Sequence, residues 1–63
     1  MILNTKPNIA DSDGFYAELL AAHRRLPEAE SHAMNARLVL ILANHIGDAE
    51  VLTQALALAK AGS

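Results

Sequence analysis

The chain has 63 residues, 52% of them hydrophobic and 19% charged, with a formal net charge of −2 and no cysteine. That length permits a single domain, and the missing cysteines exclude disulfides and thiolate metal sites. Five Lys and Arg spread along the chain do not make the basic face that neutralises phosphates, so nucleic acid is not expected as a partner.

Residues 1–10 read as an extended N-terminal arm. Pro7 disfavours helix at Lys6, while Ile2, Leu3 and Ile9 are apolar enough to pin the arm to a groove. A frayed terminus is the plainer alternative. The arm lacks the basic start and long apolar stretch of a secretory signal. The longest apolar run, Leu38 to Ala43, is far short of the ~20 residues a bilayer span needs. No membrane association and a cytoplasmic location are therefore expected.

Residues 11–63 read as an all-α domain, a small bundle of three helices joined by short turns. Asp11 is a good N-cap and Asp13 puts negative charge in a first turn, with Ser12 belonging to the same helix start. Phe15, Leu19, Ala22 and Leu26 then recur at spacings of four, three and four, which is one stripe of a helix. Tyr16, Leu20 and His23 flank one edge of that stripe, and Glu18 and Arg25 the other. The helix is expected to end near Leu26, because Pro27 does not continue it without cost. Pro27 suits the first position of a second helix, which is expected to run to Ile46 and stop at Gly47 in the left-handed position. Asp48 caps a third helix with an apolar face of Val51, Leu52, Ala55, Leu56 and Ala59, stopping at Gly62.

The central helix carries most of the information. At about 100 degrees per residue, Met34, Leu38, Ile41, Leu42 and His45 fall within one arc, and Ala36, Val39, Ala43 and Ile46 within another. Glu30, Arg37 and Asn44 form a polar line spaced by seven, and Leu40 lies between that line and the second arc. A helix apolar on two faces is buried on two faces. Its two neighbours are short and rich in alanine, and are expected to leave one of Val39, Leu40 or Ile46 uncovered. A partner surface is the simplest completion, and a dimer the commonest one. The expected interface is Arg37, Val39, Leu40, Asn44 and Ile46.

Asn35, Arg37, Asn44 and His45 are the polar residues of this helix and a candidate polar site. Arg37 and Asn44 share a line that fits either a hydrogen-bonded seam or a solvated edge. A buried Arg37 needs a carboxylate, with Asp48 and Glu18 the local options. His23, His32 and His45 are scattered and lack metal-ligand spacing, so no metal and no other cofactor is expected. No glycine-rich phosphate loop exists, and no nucleophile or acid–base pair stands out, so no catalytic residue is assigned and the chain is not expected to be an enzyme. The expected function is that of a helical interaction module. It either self-associates or serves as an accessory subunit of a larger cytoplasmic enzyme. The alternative is a small-molecule or metal-binding protein with a site at a dimer seam.

The stretch from Asn35 to Asp48, Asn-Ala-Arg-Leu-Val-Leu-Ile-Leu-Ala-Asn-His-Ile-Gly-Asp, resembles the signature of a small bacterial family, domain of unknown function 2783. The run from Asn8 to Tyr16 is similar to that family's N-terminal segment. The resemblance covers nearly the whole chain and implies an accessory role, with no catalytic residue to carry over. Pro27 departs from the Ser-type cap expected in the family at the start of the second helix.

Overall fold

The computed structural model describes residues 1–62. Three helices follow an extended arm: α1 (Ser12–His23), α2 (Glu28–Ile46) and α3 (Ala49–Lys60). Local chemistry explains most of their ends. The Asp11 carboxylate accepts from the Gly14 N–H at 3.0 Å, satisfying one of the free donors of a helix start. The Asp11 carboxylate leans over Gly14 into the space a Cβ would take, so a larger residue there requires that side chain to shift. Asp48 repeats the device on α3, accepting from Val51 N–H at 3.0 Å. Gly47 ends α2 at φ 72°, and its N–H donates to Ala43 O at 2.9 Å.

The end of α1 differs from the expectation. The helix stops at His23, not near Leu26. Leu26 precedes a proline and is pushed out of helical geometry, so the chain turns earlier. Arg25 takes a left-handed conformation at φ 67°, and Leu26 N–H donates back to His23 O at 3.1 Å. Pro27 then sits one position before the second helix, as its cap residue at φ −58° and ψ 155°. No side chain caps α2.

The arm is tied to the third helix. Leu3 N–H donates to the Gln54 Oε1 at 2.8 Å, and Leu3 is half-buried. The Met1 amine reaches Asp48 at 3.9 Å. Ile2 and Ile9 remain exposed.

The core is thin. Val51, 7% exposed, is the one buried hydrophobic residue among those described. Leu19, Met34, Leu38 and Leu52 are half-buried. On α3, Val51, Leu52 and Ala55 point inward, whereas Leu56 is exposed against expectation. The radius of gyration is 13.3 Å, where a compact chain of this length needs about 11 Å. No helix among the described residues is long and apolar enough to cross a membrane.

Candidate functional site

The two apolar stripes read from the sequence face each other across a groove. Phe15, Leu19 and Ala22 of α1 form one wall, and Met34, Leu38 and Ile41 of α2 the other. Glu18 and Arg37 complete the lining. The groove has a volume of about 410 Å³ and lies open to solvent, because the two helices do not close on each other. The walls repeat one pattern. Phe15, Glu18, Leu19 and Ala22 have the spacing of Met34, Arg37, Leu38 and Ile41, each pair 19 positions apart. Each helix thus presents the same apolar stripe, with an acid on one and a base at the equivalent place on the other. Neither Glu18 nor Arg37 has an ion-pair partner in its own chain among the described residues.

Past Leu38, α2 is largely exposed, with Ala43 half-buried and Ile41 shared with the groove wall. Val39, Leu40, Ile41 and Leu42 are 61%, 70%, 64% and 48% exposed. Four consecutive residues cover about 300 degrees of a helix, so this apolar segment faces water nearly all round. Ile46 is exposed as well. The neighbours therefore leave Val39, Leu40 and Ile46 all uncovered, where the sequence pointed to one. The cause is that the helices do not pack closely along their length, which hydrophobic periodicity does not encode.

The polar residues of α2 are dispersed. Asn35 Oδ1 lies 3.0 Å from His23 Nε2, and His23 Nδ1 meets the Ser31 hydroxyl. In the neutral ring Nε2–H donates to Asn35 and Nδ1 accepts from Ser31. This clasp joins the end of α1 to the first turns of α2. Its order of hydroxyl, imidazole and acceptor is that of an acyl-transfer site. However, the α1–α2 groove does not reach Ser31, and an amide in place of a carboxylate does not stabilise an imidazolium. Arg37 stands at the groove, while Asn44 and His45 are exposed in the last turns. Arg37 and Asn44 form no hydrogen-bonded seam among the described residues. Asp48, one of the carboxylates considered for Arg37, is engaged as the α3 cap. No group of three or more metal-ligating side chains gathers among the described residues. A second groove of about 460 Å³ lies along the arm, lined mainly by Asn4 to Ile9.

Sequence reasoning missed the His23 clasp. Its signal was present: Ser31 and Asn35 are four residues apart, hence on one face, and His23 lies on the edge of the α1 stripe.

The family described as Protein of unknown function (DUF2783) matches residues 3–61. The chain belongs to this family. The match spans the arm, all three helices and both groove walls, so the DUF2783 unit and the domain described above are the same object. Comparison with proteins of curated function and with solved structures gives no match.

Proposed function

We propose that this DUF2783 protein is a non-catalytic helical interaction module that works as an assembly of its own copies. The observation that supports the reading is surface area. A compact monomer of 6.7 kDa exposes about 3,900 Å², whereas this chain exposes 5558 Å². The excess, about 1,600 Å² per copy, is at least what each partner contributes to a stable interface. The exposed surface includes the apolar segment from Val39 to Leu42. A solitary domain with so thin a core has little to set against the entropy of folding. Association supplies the missing burial, and a closed twofold dimer is its simplest form.

Sedimentation equilibrium of the purified chain at micromolar concentration tests this. The expected mass is twice 6.7 kDa or a higher even multiple. A folded species of 6.7 kDa throughout the concentration range contradicts the reading.

A further inference from the structure

The self-association just proposed leaves open which face meets the second copy. We infer that the α1–α2 groove is that face, and that two copies dock groove to groove about a twofold axis running along the helices. The result is a four-helix bundle of α1 and α2 from each copy.

Charge selects the axis. Closing two such grooves on each other allows two twofold arrangements. With the axis across the helices, α1 lies on α1 and α2 on α2, which sets Glu18 against the partner's Glu18 and Arg37 against the partner's Arg37. With the axis along the helices, α1 of each copy lies on α2 of the other. The stripes then meet as apolar on apolar, and Glu18 faces the partner's Arg37 twice. Like charges at an interface are costly and opposite ones fix register. Both side chains are exposed and unpaired in their own chain among the described residues, so both are free to take these roles.

The other occupant within reach is the chain's own N-terminal arm. It is held elsewhere, through Leu3 on Gln54 of α3. The area of the whole protomer, of which the groove is one part, also leaves room for a second copy. A stable interface takes about 800 Å² from each partner, and the surplus surface of one protomer exceeds that. The groove walls are where α1 and α2 fail to bury their facing stripes.

Charge reversal tests the inference with the full chain. Glu18→Arg and Arg37→Glu each place two like pairs across the contact, and each alone weakens self-association about tenfold or more. An equal mixture of the two variants restores both opposite pairs, so native mass spectrometry detects mixed dimers in large excess over like ones. The double variant Glu18→Arg/Arg37→Glu regains wild-type affinity. Circular dichroism checks that every variant keeps its helix content. If the wild type associates and the single variants associate equally well, the groove-to-groove contact with its axis along the helices is wrong, although self-association stands. If the double variant recovers but the mixture does not, the two charges meet within one chain and the twofold is wrong. A wild type that stays monomeric removes the self-association on which the inference rests.

Discussion

Ile41→Ala weakens assembly while leaving the protomer's own contacts nearly intact. Ile41 lines the groove and is 64% exposed in the protomer. Complete burial of such a side chain stabilises by about 1.5–3 kcal/mol. Roughly two thirds of that is gained only when a second copy covers it, which is about 1–2 kcal/mol. A twofold contact counts the loss twice, so the dimer loses about 2–4 kcal/mol, and its Kd rises about 30- to 700-fold. Within one chain the cost is small, because little of Ile41 is sheltered there and alanine is the better helix former. Sedimentation equilibrium and far-ultraviolet circular dichroism, taken together across a micromolar range, measure both quantities. Mass and helix content that fall together at low concentration and recover together at high concentration are the expected result. An unchanged association constant refutes the assignment of Ile41 to a contact between copies.

Leu40→Asp places a charge on the most exposed residue of the bare segment, which does not line the α1–α2 groove, and is expected to leave the association constant nearly unchanged; a marked loss of association moves the contact off the groove and onto that segment. Asp48→Ala deletes the cap on Val51 N–H and is expected to cost about 1 kcal/mol, lowering Tm by about 4–8 °C in a calorimeter. Gly47→Ala forces a Cβ into the left-handed position at φ 72° and is expected to cost about 1–2 kcal/mol, read as a lower urea midpoint with unchanged slope.

Much of the fold is legible in the sequence because its signals are local. Asp11 and Asp48 sit directly before their helices and cap them, and Gly47 supplies the left-handed stop. The stripes from Phe15 to Ala22 and from Met34 to Ile41 face each other because a helical period fixes which side chains share a side. The end of α1 is harder, since two effects compete. The stripe carries on to Leu26, but the pre-proline restriction breaks the helix at His23 and puts Arg25 in a left-handed turn.

The site is less legible, for a different reason. How far two helices open is set by the sum of all their contacts, and no single residue in the turn encodes it. The pattern therefore pointed to one uncovered residue among Val39, Leu40 and Ile46, while the structure leaves all three exposed, with Ile41 and Leu42 besides. Asn35, Arg37, Asn44 and His45 share a helix but not a position. One joins the His23 clasp, one lines the groove, and two face solvent. The matched places of Glu18 and Arg37 were present in the spacing, but they acquire meaning only once both helices are seen to line one groove.

The dependence of melting temperature on protein concentration is the most direct test of the claim that this chain folds by associating. A pair of 63-residue chains that unfold and separate together has an unfolding enthalpy near 90 kcal/mol, so Tm rises by about 5–6 °C for each tenfold increase in concentration. A Tm that stays constant across two decades of concentration contradicts it.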